Sequence, residues 1–489
     1  MPENGVELAA VPPFADTLTA GLTDANGGND LDIDGRIHEL SEIIMHEMCA
    51  SRVPRPGKPE IYRVPETFLA ADEGAYQPRF LSLGPYHRGD SATEEMRRTD
   101  ERKLENLAYA LQDGGPSVEE YMEAIASVEA DARSRYDGDV AMEWGAFCRM
   151  LLLDGFQLIT VLKFLGYEPP PLPPPAPGCS SNNNGQGNCR PRTSVVISIE
   201  HDLMMLENQI PFFVVQRIHR LRYGIGGNGM DTVEELAWRT IKRIMNDAPA
   251  ATSFPPAKCH HLVHLCHEYL RPSNLDKSLG ACGDYGRFRR AIEYHEAGVK
   301  FRRLNSEADG SSRRPLLDVT FSDGVLRMAQ VRVDERTNYI LRNVLVYEQR
   351  YDDTATSGAT SYVTAYVMFM SQLLGGPEDV ALLSRHGVIE HHLGDDAEVC
   401  ALFRGLAQGL VFDPSGGHYM STVGVRLRSH HRSRLNRWRA WVMRHRFRNP
   451  WLAVAWVLGS MAVLGTIVQT VITLLPYVHH QGRTRNIGS

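Results

Sequence analysis

The sequence predicts a mainly α-helical protein with a few short β-strands, arranged as one large helical body followed by one C-terminal transmembrane helix. Apolar residues recur at helical spacing through most of the body, whereas β-rich runs are few and short. With 43% hydrophobic and 23% charged residues among 489, the chain has a globular composition and can bury a large core. Near the C-terminus, residues 451–478 carry no charge and exceed the roughly 20 residues that cross a bilayer.

The first part of the chain is predicted to contain a disordered tail, one helix and two short strands. Residues 1–34 are rich in Gly, Asp and Asn with little periodicity, so we expect disorder there and a folded body over 35–423. Residues 36–49 repeat apolar side chains at helical spacing. The runs IYRVP (61–65) and RFLSLGPY (79–86) end at Pro or Gly-Pro, as short strands do.

The middle of the chain is predicted to hold the central helix. Residues 94–112 form a charged amphipathic helix whose buried face carries Leu104, Leu107 and Leu111. Residues 143–166 are apolar on nearly all sides and predict a buried helix with Asp154 in its middle. Residues 168–194 are polyproline followed by an Asn/Gly tract. They indicate a flexible insertion, either a plain spacer or a docking site for a polyproline-binding partner.

The second half of the body alternates helices with a hairpin. VVISIE (195–200) favours a strand, and the run 316–333 is β-rich on both sides of Asp323-Gly324, a strong hairpin signal. Helices are predicted near 233–246, 258–270, 337–350 and 361–376, and two more within 377–410 around Gly387.

Two motifs resemble binding sites, but each has a simpler structural interpretation. GIGGNG (224–229) matches a dinucleotide-binding pattern, yet a helical run precedes it where that site needs a strand, so Gly224 is expected to end a helix. KCHHLVHLCHEYL (258–270) offers His and Cys side chains for a metal, or a helix with its leucines packed inward. We therefore predict no catalytic, cofactor-binding or metal-binding residue and no cofactor.

Polar side chains interrupt three of the most apolar segments, MLLLDGFQL, DLMMLENQIPFF and ILRNVLVYEQ. Because an unsatisfied buried polar group costs about 1–3 kcal/mol, these side chains should bond to one another, to helix ends or to a wet cavity. The predicted buried polar network consists of Asp154, Glu207, Asn208, Gln209, Asn343, Glu348 and Gln349.

Two interpretations of this network remain open. In the first, Pro211 starts a new helix, so Glu207, Asn208 and Gln209 satisfy open backbone groups at a helix junction. In the second, the carboxylates of Glu207, Glu348 and Asp154 converge in a pocket with His87 and perform chemistry.

The residues before the apolar run are strongly basic. Residues 424–449 form an arginine-rich juxtamembrane segment, 451–475 the span, and 476–489 a short tail. The arginines are either topology determinants or contacts to anionic lipid. The predicted lipid-facing residues are Arg432, Arg434, Arg437, Arg439, Arg444, Arg446 and Arg448.

The charge distribution and the flanks of the span bear on location and partners. Residues 424–489 hold 11 of the 52 basic residues and none of the 59 acidic ones, so residues 1–423 carry a net charge of about −18. So acidic a body disfavours nucleic acid as a partner and leaves membrane lipid and an unidentified protein. The arginines that precede the span predict, by the positive-inside rule, that the body lies in the cytosol. This is the arrangement of a tail-anchored protein, in the plasma membrane or in endomembranes. Eight scattered cysteines agree with a reducing compartment.

Seven ordered motifs resemble a plant family known as domain of unknown function 247. They are IYRVPETF, AYQPRFLSLGPYHRGD, MLLLDGFQL, DLMMLENQIPFF, EAGVKF, LRNVLVYEQ and the C-terminal span, over residues 40–475. The resemblance implies a plant protein that is largely helical and anchored at its C-terminus, with no established reaction or catalytic residues. Some grass members of the family are linked to pollen self-incompatibility.

From these observations we expect a non-enzymatic, membrane-anchored plant protein that acts in recognition or signalling through protein–protein interaction. Pollen self-incompatibility is one setting that the resemblance suggests. Two alternatives stay open at this stage: a membrane-tethered hydrolase that uses the buried carboxylates, and a scaffold that binds anionic lipid through its arginines.

Overall fold

The computed structural model describes most of the body and part of the C-terminal apolar run. The described residues are 59–89, 93–112, 115–167, 193–224, 231–245, 259–273, 275, 286–304, 316–352, 361–413, 418–433, 455 and 458–473. The predicted disordered tail, the predicted helix 36–49 and all but the last two residues of the predicted insertion lie outside them.

The N-terminal half of the described chain is helical. Its elements are α1 (Glu66–Leu69), a 3-10 turn (Glu73–Ala75), α2 (Glu94–Gln112), α3 (Val118–Ala126), α4 (Glu129–Ser134), α5 (Trp144–Gly166), α6 (Thr193–Leu203), α7 (Phe212–Tyr223), α8 (Val233–Ile244) and α9 (Leu262–Leu270). Several begin where the sequence supplies a cap. Ser117 with Glu120 and Thr232 with Glu235 form reciprocal capping boxes at α3 and α8.

Helix α5 is the centre of this half, as its all-round apolar sequence predicts. The helices α2, α3, α7 and α8 all pack against it. Its middle is buried on every side, so that even Asp154 is fully enclosed. A charge in that position needs partners on the neighbouring elements.

The second half adds helices and two small sheets. Its elements are α10 (Ala291–Glu296), β1 (Lys300–Arg303), β2 (Val319–Ser322), β3 (Val325–Met328), β4 (Val331–Val333), α11 (Glu335–Asp352), α12 (Tyr362–Leu373), α13 (Pro377–Arg385), β5 (Ile389–His391), α14 (Asp396–Ala407) and α15 (Ser421–Arg432). Helix α11 packs on α9, α12 and α14, and α15 packs on β2.

The predicted hairpin is confirmed and forms the larger sheet. Strands β2 and β3 pair antiparallel around Asp323-Gly324, both of which have positive φ, and β1 joins β3 in parallel to give the order β1-β3-β2. A two-residue turn with positive φ at both positions matches the twist of the strands, which explains the Asp-Gly pair. Strands β4 and β5 form a separate parallel pair.

Three strand predictions are wrong. Residues 195–200 lie inside the helix α6. Its buried apolar residues, such as Ile199 and Leu203, are four positions apart, which is the spacing of one helix face. Residues 61–65 and 79–86 belong to no strand, and among them only Ile61 makes a bridge, to Tyr136. Several backbone N–H groups of these two runs donate to side chains and not to a neighbouring strand.

The buried face of α2 also differs from the prediction. Leu107 is buried, but Leu104 is 47% exposed. The buried positions of this helix are Met96, Thr99, Lys103 and Leu107, so the face is rotated toward a lysine. The rotation places the charged side chain of Lys103 in the core.

The predicted C-terminal transmembrane helix is not confirmed. Within the described part of the chain, α5 alone is long and apolar enough to cross a membrane, and it is mostly buried in the core. The helix α16 (Leu458–Thr473) covers part of the apolar run and is shorter than a full span. Its large apolar side chains are exposed, including Leu464 and Ile472 at 61% and 63%.

Candidate functional site

The candidate site is built around residues 59–89, which we call the buried segment. This stretch runs mostly without regular secondary structure, yet Ile61, Leu81 and Leu83 are completely buried. Buried backbone N–H and C=O groups must find partners, and a helix or sheet would normally supply them. Here much of that role is taken by polar side chains from the core helices.

Asp202 binds the middle of the buried segment. Its Oδ1 accepts the N–H of Arg79 at 2.8 Å, and its Oδ2 accepts those of Phe80 and Leu81 at 2.6 and 2.7 Å. His201 Nδ1 lies 2.9 Å from Oδ1. Asp202 is the penultimate residue of α6 and is fully buried, so three consecutive N–H groups stabilise a carboxylate that has no access to water.

Asn208 and Gln209 bond to the last turn of α6, and each also reaches a distant segment. Asn208 Oδ1 accepts the N–H of Leu83 at 2.7 Å, and its Nδ2 donates to the carbonyls of Leu81 and Asp202 at 2.8 and 2.9 Å. Gln209 Nε2 donates to the carbonyls of Leu203 and Met205 at 2.9 and 2.7 Å. Its Oε1 accepts the N–H of Val263 in α9 at 3.3 Å.

The chain here has the geometry of a helix junction. Helix α6 ends at Leu203, and α7 begins at Phe212 directly after Pro211. Asn208 and Gln209 therefore donate hydrogen bonds to carbonyl groups that the end of α6 leaves without a helical partner. Their oxygens also bind the junction to the buried segment and to α9.

Glu207 and His87 form a partly exposed part of the cluster, since each side chain is 14% exposed. Glu207 Oε1 accepts the N–H of Val64 at 2.7 Å, and Oε2 lies 3.4 Å from His87 Nε2. Burial lowers the pKa of His87 to about 4, helped by Arg63, and burial also raises the pKa of Glu207. At neutral pH His87 is therefore uncharged, and this contact is not an ion pair.

Asn343 connects α11 to the same region. Its Oδ1 accepts the N–H of Leu206 at 2.8 Å, and its Nδ2 donates to the carbonyls of Ala75 and Tyr339 at 2.9 and 2.8 Å. The side chain is completely buried. It therefore links the second half of the body to the junction and to the buried segment.

Asp154 holds the end of the buried segment through two cations. Lys103 Nζ lies 2.7 Å and Arg88 Nη2 2.6 Å from its carboxylate, which also accepts the N–H of Gly84 at 2.8 Å. Burial by itself would raise the pKa of Asp154, but Lys103 and Arg88 outweigh it and hold that pKa below its ordinary value. Lys103 is 1% exposed and donates also to the carbonyl of Ser82 at 2.6 Å.

Glu348 lies in a second cluster with its own partners. Its carboxylate accepts the N–H groups of Val363 and Thr364 at 2.9 and 2.6 Å at the start of α12, and Oε1 lies 3.1 Å from His267 Nε2. Tyr362 Oη donates to the carbonyl of His267 at 2.7 Å. The adjacent Gln349 bonds to Thr364 and to the backbone of Val411 and is half-buried.

The predicted network is thus divided into two groups. Asp154, Glu207, Asn208, Gln209 and Asn343 lie around the buried segment and the helix junction, whereas Glu348 and Gln349 belong to the α11–α12 contact. Each of the three carboxylates in the pocket interpretation has a separate set of donors. A cavity of about 50 Å³ exists elsewhere, with mostly apolar walls that include Leu317, Ile340 and Phe403, and none of the network residues lines it.

Sequence reasoning missed three charged members of the first group, Asp202, Lys103 and Arg88. Asp202 begins the motif DLMMLENQIPFF and lies outside the predicted network. Lys103 lies on α2 in register with Met96, Thr99 and Leu107, and that periodicity was the available signal. Arg88 lies in irregular chain, where no periodicity exists to mark it.

The histidine-rich helix α9 forms part of the core. His261 Nε2 lies 2.9 Å from the carbonyl oxygen of Glu60, and the ring of His264 lies 5.5 Å from that of Tyr347 in a tilted arrangement. Burial lowers the pKa of His261 to about 3 and that of His264 to about 2. Across the described ranges, no group of three or more His, Cys, Asp or Glu residues is placed to hold a metal ion.

The predicted lipid-facing arginines are described only at their start. Arg432 is exposed at the end of α15. The other six, Arg434, Arg437, Arg439, Arg444, Arg446 and Arg448, lie outside the described residues.

Comparisons with known proteins place these features in a family context. The sequence model of DUF247, described as a plant protein of unknown function, matches residues 61–465. The UPF0481 protein At3g47200 of Arabidopsis thaliana is 24% identical over 450 residues, 86% of this chain and 87% of the relative. A second Arabidopsis UPF0481 protein, At3g02645, is 19% identical over 479 residues, 79% of this chain and 82% of that relative. No solved structure matches the chain.

Proposed function

The chain belongs to DUF247, a plant protein family of unknown function, and from this premise we propose that it is a non-enzymatic, membrane-anchored recognition protein that acts by binding another protein. The observation that carries the proposal is the use of the buried polar residues. Asp154, Asp202 and Glu348 each accept backbone N–H groups or face buried cations, so their charges serve the fold.

The enzymatic alternative receives less support from the geometry. It requires Asp154, Glu207, Glu348 and His87 to converge where a substrate could reach them. Glu207 and His87 are neighbours, but the partners of Asp154 and of Glu348 are different residues in different contacts. A carboxylate fully occupied by structural donors is a poor general base, since it has to exchange those donors for substrate.

Membrane attachment is supported by the sequence of the C-terminal run and by the exposure of α16. Residues 451–478 contain no charge, and nine arginines lie between 426 and 448 against two after the run. We propose that the run crosses the bilayer once, with the body on the cytosolic side. A protein that binds the polyproline insertion, or a partner in self-incompatibility, would then meet the body in the cytosol.

The first experiment tests attachment and orientation with the full chain. We expect the chain, made in the presence of microsomes, to resist carbonate extraction and its body to be digested by added protease. The matched control deletes residues 451–478, and we expect that protein to be extracted. A chain that carbonate removes, or a body that the membrane shields from protease, would contradict the proposal.

The second experiment tests recognition. A proximity-labelling enzyme fused to the N-terminus of the full chain, expressed in plant tissue including pollen, should label a reproducible protein partner. The same enzyme fused to residues 424–489 alone is the control for labelling due to membrane location. Failure to find any protein enriched over this control, together with turnover of a substrate by the purified chain, would favour the enzymatic alternative.

A further inference from the structure

We infer that the outer face of the three-stranded sheet is a contact surface for anionic lipid headgroups. We call it the basic sheet face; it consists of Lys300 and Arg302 on β1, Val325 and Arg327 on β3, and Thr320 and Ser322 on β2. The inference rests on the proposed membrane attachment and adds to it a defined surface of the body.

The strand register decides which side chains share this face. Phe301, Leu326 and Phe321 lie side by side across the sheet and are buried. Because successive side chains alternate between faces, the residues on either side of each of them point outward. The burial pattern agrees, with Lys300 and Arg302 exposed on either side of the buried Phe301. The outward positions therefore include three basic side chains and no acidic one.

These basic side chains are close together, and within the described ranges none of the three is paired with a carboxylate. Arg302 lies directly beside Arg327 in the register, so their backbones are about 4.8 Å apart. Arg327 donates to the hydroxyl of Ser322 at 3.0 Å, and no described carboxylate pairs with Lys300 or Arg302. Like charges side by side on a sheet are unfavourable for the fold. An external anion would relieve that repulsion, which is why we assign a ligand to this face.

The chain connectivity favours a membrane as the source of that anion. Helix α15 packs on the edge strand β2, where Arg426 Nη1 donates to the carbonyl of Phe321 at 3.3 Å. Fewer than 20 residues separate the end of α15 at Arg432 from the apolar run at Trp451. The sheet is therefore tied to the element that leads directly into the proposed span, whereas the rest of the body is acidic. A basic surface on an acidic body orients toward an anionic bilayer.

The test uses photo-cross-linking of the full chain in nanodiscs. Thr320 is exposed in the same row as Arg327 and Arg302, so a benzophenone amino acid placed there should cross-link to phospholipid. We expect strong lipid cross-linking in bilayers of phosphatidylcholine with 30% phosphatidylserine and little in phosphatidylcholine alone. A probe at Tyr109, which is 70% exposed on α2, is the positional control and should stay uncross-linked.

Charge variants separate lipid contact from simple proximity. Each basic residue neutralised near an anionic surface should lower the ratio of docked to undocked protein about fivefold. The variant K300Q/R302Q/R327Q should therefore lose most of its cross-linking at position 320. The control R97Q/R98Q/R102Q removes the same charge from the exposed side of α2 and should keep the wild-type yield.

The outcomes distinguish this inference from the proposed function. A chain absent from the nanodisc fraction would contradict membrane attachment itself. A chain that is inserted but gives no lipid cross-link at position 320, or the same yield in both bilayers, would overturn the inference and leave the anchor intact. Cross-linking of position 320 to a protein or to nucleic acid in a plant extract, in preference to lipid, would also overturn it.

Discussion

At the scale of single residues, polar side chains accept hydrogen bonds from buried backbone N–H groups that a helix or a sheet would otherwise satisfy. Asp202 and Asn208 together bind four N–H groups of the buried segment, at residues 79, 80, 81 and 83. A bond to the charged Asp202 contributes about 1.5–3 kcal/mol in net terms and one to the neutral Asn208 about 0.5–1.5 kcal/mol, and leaving a buried donor without an acceptor costs about 1–3 kcal/mol. These residues therefore determine whether the segment can be buried at all.

The change Asp202→Asn tests this role. The new amide presents N–H groups to backbone N–H groups and removes the charge, so we expect a loss of about 3 kcal/mol in the free energy of unfolding. The control Glu105→Gln alters an exposed carboxylate on α2 and should leave the melting temperature unchanged. Hydrogen exchange at residues 79–81 gives a local measurement. Wild-type protection there in the variant would show that Asp202 does not hold the segment.

Lys103 provides a second test, because it pairs with a carboxylate that has no contact with water. In Lys103→Met, Asp154 keeps Arg88 but loses one of its two cations, and we expect destabilisation of about 3 kcal/mol. The neighbouring Arg102→Met removes the same charge from an exposed position of the same helix and should have little effect. Equal thermal stability of the two variants in the same detergent would contradict the role of the pair.

At the scale of elements, the helix junction and the buried segment form one unit. The motif DLMMLENQIPFF ends α6, crosses to α7 and supplies four side chains that bond to distant backbone or to α6. Gly84 of the buried segment packs directly against Gln209 of the junction. Its φ is +72°, and a Cβ there would lie 2.5 Å from the carbonyl oxygen of Gln209. No other residue fits that position without displacing the junction.

The pair Gly84→Ala and Gly89→Ala separates close packing from backbone strain. Both positions have a similar positive φ, but no described atom lies within 4 Å of a Cβ placed at Gly89. Gly89→Ala should therefore cost only the backbone strain, about 1–2 kcal/mol, and Gly84→Ala an additional 1–3 kcal/mol from the clash. Thermal unfolding of both variants measures the difference. Equal losses would mean that the segment and the junction can move apart at no cost.

At the scale of the whole molecule, the body combines an acidic composition with a basic sheet face and a core that contains neutral histidines. The histidines of α9 lie between the buried segment and α11, so protonating them would place charge in the centre of the fold. The stability of the body should therefore depend on pH in a range set by these groups.

His261 and His264 predict acid destabilisation, and the direction follows from their pKa values. Their folded pKa values, about 3 and about 2, lie below the ordinary value of about 6.5, so below pH 6.5 the unfolded chain binds protons that the folded chain does not. Stability is then lost as the pH falls from about 6.5 toward 3, by about 4 kcal/mol for both groups at pH 5. Melting temperatures at pH 7.5, 6.5 and 5.5 measure this loss.

Two histidine variants serve as controls for that prediction. His264→Gln should reduce the fall in melting temperature with decreasing pH, whereas His392→Gln, at an exposed position, should leave that fall unchanged. A melting temperature that stays constant between pH 7.5 and 5.5, or a slope that His264→Gln leaves unchanged, would contradict the assignment.

The sequence by itself determined the elements whose pattern is local. The all-apolar run of α5, the helices α11 and α12, the Asp-Gly hairpin and the restart of helix after Pro211 all follow from side-chain periodicity or turn chemistry within a few residues. The family membership follows from ordered motifs in the same way.

Only the tertiary structure decided the positions whose partners are distant in the chain. The stretch 195–200 has β-branched residues but becomes helix, and Leu104 turns outward so that Lys103 can reach Asp154. The two polar clusters separate because α11 crosses first the helix junction, at Asn343, and then the start of α12, at Glu348. Residues 61–65 and 79–86 look like strands because their side chains are apolar. They do not pair as strands because the hydrogen bonds of an extended chain depend on what lies beside it, which no local pattern specifies.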